Sequence, residues 1–199
     1  MTEFLSVPCS KETSDCVEGG ELCLHNSRVR SWSNLPGDDF VIIGGYESGV
    51  DAAVNLAKAG KQTTVLGSSA TWNVQTVDPS FELAPYTADR LREVTAPSFS
   101  PRPKLLAPLR VTKVEEVESG GYNVIAEWKA AEPPMHPSSL RNQYYSGPRF
   151  GEGNAEEGSK YVVHTAQPPI LATGFEGSVA SAARNLFNFA DEADQVSHI

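Results

Sequence analysis

Apolar and polar residues follow one another in an order that predicts a strand, a turn and a helix. The run Phe40–Ile43 is short, apolar and rich in β-branched residues, as buried parallel strands are. After a glycine-rich turn, four apolar residues recur at helical spacing along one face: Val50, Ala53, Val54 and Ala57. Gly60 predicts the end of this helix, and Gln62–Leu66 predicts a second strand. Together these elements have the size of one β-α-β unit with a right-handed crossover.

The pattern further along the chain predicts a second helix and a group of antiparallel strands. We expect a helix over Ala88–Val94 with Thr87 as its N-cap, and then a loop over Thr95–Pro108, which contains four prolines. Alternating residues predict further strands, of which the first two form a hairpin: Leu109–Val114, Tyr122–Trp128, Lys160–His164 and Ile170–Thr173. The predicted fold class is therefore α/β, a Rossmann-like parallel sheet with helices and an added antiparallel hairpin or meander.

The glycine-rich turn between the first strand and the first helix has the composition of a pyrophosphate seat. Free backbone N–H groups and the positive end of a helix dipole attract phosphate. In the G-x-G-x-x-G fingerprint, Gly44 takes the first position and Gly49 the third, while Tyr46 replaces the second glycine. The candidate cofactor-binding residues here are Gly44, Gly45, Tyr46, Glu47, Ser48 and Gly49. The alternative is a turn that only joins a strand to a helix.

The end of the second strand predicts which nicotinamide nucleotide binds. A carboxylate at this point would accept hydrogen bonds from the ribose of NADH, and a basic group would pair with the 2′-phosphate of NADPH. Gly67 is followed instead by Ser68 and Ser69, which repel no phosphate and can donate hydrogen bonds to it. We therefore expect NADPH as the cofactor, with NADH as the alternative, and include Ser68 and Ser69 among the cofactor-binding residues.

Composition narrows the classes of partner. The 199 residues include 16 Lys and Arg against 25 Asp and Glu, a net charge of -9, which opposes nucleic-acid binding. No apolar run is long enough for a membrane helix, so we expect a cytoplasmic protein without a membrane partner. The cysteines Cys9, Cys16 and Cys23, with His25 nearby, lack the usual spacing of zinc ligands, and we expect free thiols and no metal.

Two segments carry a resemblance to a known family. Val41–Ala53, which contains the glycine turn, and Ile170–Phe175 far downstream together resemble the NAD(P)H-binding domain of two-dinucleotide-domain flavoproteins. Within that group the chain looks most like flavin-containing monooxygenases and thioredoxin-reductase-like FAD-dependent oxidoreductases. The resemblance implies that Thr173 and Gly174 belong to the cofactor-binding region, because an Ala-Thr-Gly segment marks the return of the chain to the FAD domain. It also implies FAD, although the main FAD-binding domain is missing from this sequence.

The resemblance implies a division of the chain into three parts. Residues 1–38 would be a linker from the FAD-domain side, residues 39–175 the NAD(P)H-binding Rossmann-like domain, and residues 176–199 a segment leading toward the missing FAD domain. A Pro- and Gly-rich loop insertion is expected over residues 129–159. Because the strand over Ile170–Thr173 and the segment before Phe40 would pack against the missing domain, we also expect the isolated chain to expose an unusually large apolar patch.

The expected function is that of an oxidoreductase that holds NADPH for hydride transfer to flavin. The alternative is a stand-alone or truncated nucleotide-binding module without catalytic activity of its own. The expected partner is the small-molecule nucleotide, with a homo-oligomer or a chain carrying the FAD domain left open. No catalytic residue can be assigned: His25, His164, Glu47 and Asp51 lie near the motifs, but each is better explained as a cap, a turn contact or a packing residue.

Overall fold

The computed structural model describes residues 17–73, 82–128 and 158–174, together with the backbone of residues 5–6 and 176–177. The strands, in chain order, are β1 (Leu5–Ser6), β2 (Leu24–His25), β3 (Asp39–Ile43), β4 (Gln62–Leu66), β5 (Lys104–Leu106), β6 (Leu109–Glu116), β7 (Tyr122–Trp128), β8 (Lys160–Thr165), β9 (Ile170–Leu171) and β10 (Glu176–Gly177). The helices are α1 (Glu47–Lys58) and α2 (Pro85–Thr95). The predicted β-α-β unit is thus confirmed as β3-α1-β4.

Five strands form a parallel sheet in the order β2-β9-β3-β4-β5. Strand β3 pairs with β4 along its whole length, with Phe40 opposite Thr63 and Ile43 opposite Leu66. On its other side β3 pairs with β9, which returns from far downstream in the sequence. The direction in which strands are added therefore reverses between β3 and β9, and such a reversal is where open α/β sheets bind ligands. The α/β fold class predicted from the sequence is confirmed.

A second sheet of three antiparallel strands, β6-β7-β8, is inserted between β5 and β9. Glu116 faces Tyr122 across the first hairpin, whose turn contains Gly120 and Gly121 at positive φ. The hairpin and meander predicted from alternation are confirmed. A β-bridge from Glu18 to Lys113 joins the beginning of the described chain to this sheet.

The core lies between the parallel sheet and the two helices. It combines strand residues with residues of α1 and α2, notably Ile42, Val65, Leu105, Ile170, Val50, Val54, Leu91 and Val94. Seven of the twelve residues of α1 are buried, more than the predicted stripe of four, because α2 covers a second face of α1. Helix α1 is therefore held on two sides, which fixes the position of its N-terminus.

Three sequence predictions about elements are wrong. Helix α2 begins at Pro85 with Ala84 as its N-cap, so Thr87 lies inside the first turn and does not cap it. The stretch 95–108 is not all loop, because β5 lies within it and pairs with β4. Strand β9 is not exposed: it pairs with both β2 and β3, and Ile170 is fully buried. Of the segment expected to be exposed, Ile170, Leu171 and Ala172 are thus buried, and only Thr173 is exposed.

The chain divides into two compact units, residues 17–173 and a unit made of residues 1–16 and 174–199. In the second unit β1 pairs antiparallel with β10, with Leu5 opposite Gly177. The predicted boundaries at residues 38 and 175 stay predictions, although β2 belongs to the parallel sheet and lies before the first of them. All but the last two residues of the predicted insertion 129–159 lie outside the described residues. No helix in the described ranges is long and apolar enough to cross a membrane.

Candidate functional site

The candidate site lies at the carboxyl ends of β3, β4 and β9, where the order of the sheet reverses. The backbone N–H of Gly44, just after β3, donates to the carbonyl of Leu66 at the end of β4, at 2.9 Å. The N–H of Ala172, just after β9, donates to the carbonyl of Ile43 at 2.8 Å. The chain segments that leave the three strands are therefore tied together at one edge of the sheet.

Gly44 and Gly49 occupy positions that no side chain can enter. Gly44 has φ of 110°, and a Cβ built on it would lie 2.3 Å from the carbonyl oxygen of Ala172. A Cβ on Gly49 would lie 1.9 Å from the carbonyl oxygen of Gly44. The absence of a side chain at Gly49 thus allows the first turn of α1 to rest directly on the turn that follows β3. These are the contacts that the first and third glycines of the fingerprint are needed for.

Tyr46, in place of the second fingerprint glycine, is the N-cap residue of α1. Its carbonyl accepts the N–H of Val50 at 2.9 Å, while its hydroxyl donates to the carbonyl oxygen of Glu82 at 3.1 Å. The side chain of Tyr46 therefore does not cap the first turn of its own helix. The N–H groups at this end of α1 and the exposed Ser48 lie at the positive end of the helix dipole.

Glu47 connects the beginnings of the two helices. One carboxylate oxygen accepts the backbone N–H of Ala84, and the other accepts the hydroxyl of Thr87 at 2.6 Å. The carboxylate thus caps the N-terminus of α2, because it accepts hydrogen bonds from groups there. The sequence predicted this capping role for Thr87. A negative charge at two helix N-termini is also favoured by both dipoles.

The other predicted residues fall on both sides of the glycine turn. Ser68 and Ser69 follow β4 and are exposed. The backbone N of Thr173 would lie 3.2 Å from a Cβ on Gly44, so the Ala-Thr-Gly segment approaches the turn at Thr173. Gly174 has φ of 88° and belongs to the other unit. Their part in binding a cofactor stays a prediction.

Two residues that the sequence reasoning missed lie against the glycine turn. The hydroxyl of Thr71 donates to the carbonyl oxygen of Gly45. The indole of Trp72 lies over Gly45 and Gly67, because a Cβ on Gly45 would be 2.6 Å from its Cζ3 and a Cβ on Gly67 would be 3.1 Å from the same atom. Both residues form a short 3-10 turn after β4. The only sequence signal was an aromatic residue soon after the end of a strand.

The ionisable residues near the motifs make structural contacts. Asp51 accepts a hydrogen bond from the guanidinium of Arg90, which ties α1 to α2. His25 is buried, and its Nδ1 accepts the backbone N–H of Ser27 at 3.3 Å, while Nδ1 of His164 lies 3.2 Å from Oδ1 of Asn123. These contacts agree with the interpretation of Glu47 as a cap, of His25 as a turn contact and of Asp51 as a packing residue.

Cys23 is the one cysteine within the described ranges, and its surroundings disfavour the reactive thiolate form. Burial, with a smaller contribution from the negative charge of Glu21, raises the pKa of its thiol to about 12. Reactive thiols have lowered pKa values, so the structure gives Cys23 no features of a redox cysteine. Over residues 17–73, 82–128 and 158–174, no three His, Cys, Asp or Glu side chains converge as metal ligands would.

Comparison with known proteins identifies the family and the fold. A family model described as pyridine nucleotide-disulphide oxidoreductase matches residues 12–133, which is more than half of the chain. The structure of L-lysine 6-monooxygenase from Pseudomonas syringae is similar in fold, with a TM-score of 0.53 at 11% identity. The match covers 85% of this chain and 44% of that protein.

Two further solved structures are similar with lower TM-scores. A bacillithiol disulfide reductase from Staphylococcus aureus is 20% identical, with a TM-score of 0.48, over 82% of this chain and 37% of that one. A pyridine nucleotide-disulfide family oxidoreductase from Enterococcus faecalis V583 is 14% identical, with a TM-score of 0.45, over 92% and 33% respectively. The chain spans less than half the length of each of these proteins.

Proposed function

The chain belongs to the pyridine nucleotide-disulphide oxidoreductase family of flavoproteins, and on that basis we propose that residues 17–173 bind NADPH for hydride transfer to a flavin. The observation that carries the proposal is the contact of Gly49 with Gly44. A helix N-terminus seated this closely on a glycine turn presents backbone N–H groups and a positive dipole end to a pyrophosphate. Its place at the reversal of strand order supports the same assignment.

The residues of this chain would bind and orient the nucleotide. The turn from Gly44 to Gly49 would hold the pyrophosphate, and the exposed Ser68 and Ser69 would donate hydrogen bonds to the 2′-phosphate. The segment that ends at Thr173 would lie beside the turn on the other side of the reversal. The nicotinamide supplies the hydride when NADPH is bound, so the protein needs no acid or base of its own for that step.

A glycine substitution tests the site. Gly49→Ala places a Cβ against the carbonyl of Gly44, which must push α1 away from the turn. We expect NADPH affinity measured by calorimetry to fall about tenfold or more, or about 1.4 kcal/mol. Gly20→Ala is the control, because a Cβ there meets no heavy atom within 4 Å. Equal NADPH affinity in a folded Gly49→Ala protein and in the control would show that the turn from Gly44 to Gly49 does not hold the pyrophosphate.

We propose FAD as the second cofactor on the basis of family membership. Within the described residues there is one strand-turn-helix of the dinucleotide type, and we assign it to NADPH, so FAD would be bound by other residues or by a partner chain. The absorption spectrum of the purified protein tests this. Flavin bands that bleach when NADPH is added support an oxidoreductase or monooxygenase. A colourless protein that binds NADPH supports the alternative, a nucleotide-binding module without activity of its own.

A further inference from the structure

Trp72 lies where a nucleotide bound to the proposed site would need room. Its six-membered ring rests on Gly45, in the turn after β3, and on Gly67, at the end of β4. In a dinucleotide site the pyrophosphate lies over the first of these segments, and the group that reads the adenosine ribose stands at the end of the second strand. The adenosine ribose must therefore pass between the two glycines that Trp72 covers.

The contact is close on both sides. A Cβ on Gly45 would lie 2.6 Å from Cζ3 of Trp72, and one on Gly67 would lie 3.1 Å from both Cζ3 and Cη2. The two glycines are themselves near one another, with 3.0 Å between a Cβ on Gly45 and Cα of Gly67. The ring thus rests in a shallow seat made of backbone alone, and the seat exists because both positions lack a side chain.

A second contact holds the ring in place. The hydroxyl of Thr71 donates to the carbonyl oxygen of Gly45, and Trp72 also packs against the edge of the core. The 3-10 turn over Thr71–Asn73 is therefore fastened to the same glycine turn that would receive the pyrophosphate. Opening the seat would break this hydrogen bond and move the ring away from the two glycines and from the edge of the core, without unfolding a strand or a helix.

We propose that Trp72 is a plug on the adenosine side of the nucleotide site, which leaves Gly45 and Gly67 when a nucleotide binds. This inference rests on the proposed function, since it concerns the same site. A protein whose binding-competent state is only partly populated binds with an affinity reduced by that fraction. Trp72 and Thr71 therefore lower nucleotide affinity, and their removal raises it.

Substitutions at the plug give a result opposite to that for an ordinary binding residue. We expect Trp72→Ala to bind ADP and NADPH about fivefold more tightly than the parent protein, because the seat is open before the nucleotide arrives. Thr71→Val keeps the ring but removes its anchor, and we expect a change in the same direction. Thr71→Ser retains the hydroxyl and is the matched control. Thr71→Val also serves as the test if Trp72→Ala does not fold.

Fluorescence reports the displacement directly. The sequence contains three tryptophans, so Trp32→Phe with Trp128→Phe leaves Trp72 as the only one. ADP carries the pyrophosphate and the adenosine ribose and does not absorb tryptophan emission. When ADP saturates this protein, we expect the emission to shift to longer wavelength and quenching by acrylamide to increase, because the ring leaves its seat.

Other outcomes overturn the inference in distinguishable ways. Weaker binding by Trp72→Ala, or lower quenching by acrylamide with ADP bound, would make Trp72 a stacking surface for the adenine. Unchanged binding in both Trp72→Ala and Thr71→Val would show that the ring does not obstruct the site. If the folded parent and both variants bind neither ADP nor NADPH, the proposed nucleotide site itself is wrong and the inference falls with it.

Discussion

Gly44 and Gly49 are required for different physical reasons. Gly44 has a backbone conformation that other residues rarely adopt and also faces the carbonyl of Ala172, whereas Gly49 is helical and only needs space. The spacing of these glycines in the sequence was enough to predict both roles. The sequence could not predict Trp72 or the bond from Glu47 to Ala84, because these contacts join residues that only the fold brings together.

The residues after β4 predict a preference between coenzymes. Ser68→Asp places a carboxylate where it would repel a 2′-phosphate and accept hydrogen bonds from a ribose diol. We expect the parent protein to bind NADPH about tenfold more tightly than NADH, or about 1.4 kcal/mol, and the variant to reverse that order. Both coenzymes are titrated into both proteins. Ser119→Asp, in the exposed turn between β6 and β7, adds the same charge away from the site and should leave the order unchanged.

Tighter binding of NADH by the parent protein would contradict this prediction. So would a Ser68→Asp protein that keeps the parent's order, since Ser68 would then not contact the ribose.

The thiol of Cys23 predicts a pH dependence. Because burial and the charge of Glu21 raise its pKa to about 12, Cys23 is a neutral thiol at neutral pH and becomes a thiolate only in strong alkali. In a protein with Cys9→Ser and Cys16→Ser, we expect iodoacetamide to react at pH 8 on the order of a thousandfold more slowly than with an ordinary thiol. The rate should keep rising with pH from roughly 8 to 10. A plateau in that range would mean that the native thiol has an ordinary pKa.

At the scale of elements, those with a strong local pattern were predictable, and short elements held by neighbours were less so. β3, α1 and β4 carry their own periodicity, and β9 was expected as a strand over Ile170–Thr173. β2 was not predicted, because it has only two residues and is held by its pairing with β9. β5 lies among prolines that favour a loop, and its pairing with β4 overrides that local preference. The resemblance led to the wrong expectation that β9 would be exposed, because it did not show that β9 pairs on both edges within this sheet and that Ile170 packs into the core.

The packing of α1 against α2 predicts an unequal effect of two arginines on the same helix. Arg90 donates to Asp51 and, at 3.0 Å, to Asn55, and its side chain is 19% exposed. Arg92 pairs, among the described residues, only with Asp89 on its own helix, and its side chain is 74% exposed. We expect Arg90→Met to lower the free energy of unfolding by about 1–2 kcal/mol and Arg92→Met by less than about 0.5 kcal/mol.

Urea denaturation of the two variants measures this difference. Equal losses in Arg90→Met and Arg92→Met would show that the contacts between α1 and α2 do not depend on Arg90.

At the scale of the whole unit, the site is a product of chain topology. The glycine turn alone predicts a phosphate seat, but its place beside Ala172 depends on β9 returning to pair with β3 from more than a hundred residues downstream. That return could be expected from the Ala-Thr-Gly segment only through the family resemblance. No local pattern specifies which edge of β3 the later strand joins, because the pairing depends on the packing of the entire sheet.

The turn from Gly44 to Gly49 contacts β3, β9 and α1. A ligand bound to this turn should therefore stabilise the unit formed by residues 17–173 as a whole. A ligand at about one hundred times its Kd adds about 2.7 kcal/mol to the free energy of unfolding. For a unit of this size that corresponds to a rise in Tm of about 5 to 10 °C. We expect ADP to produce this rise in thermal unfolding followed by circular dichroism.

Two controls test whether the pyrophosphate is responsible. Adenosine, which lacks the pyrophosphate, should produce little change at the same concentration. The Gly49→Ala protein should lose most of the response to ADP. An equal rise with adenosine and ADP would place the binding energy in the adenine rather than in the contacts between the pyrophosphate and the turn from Gly44 to Gly49.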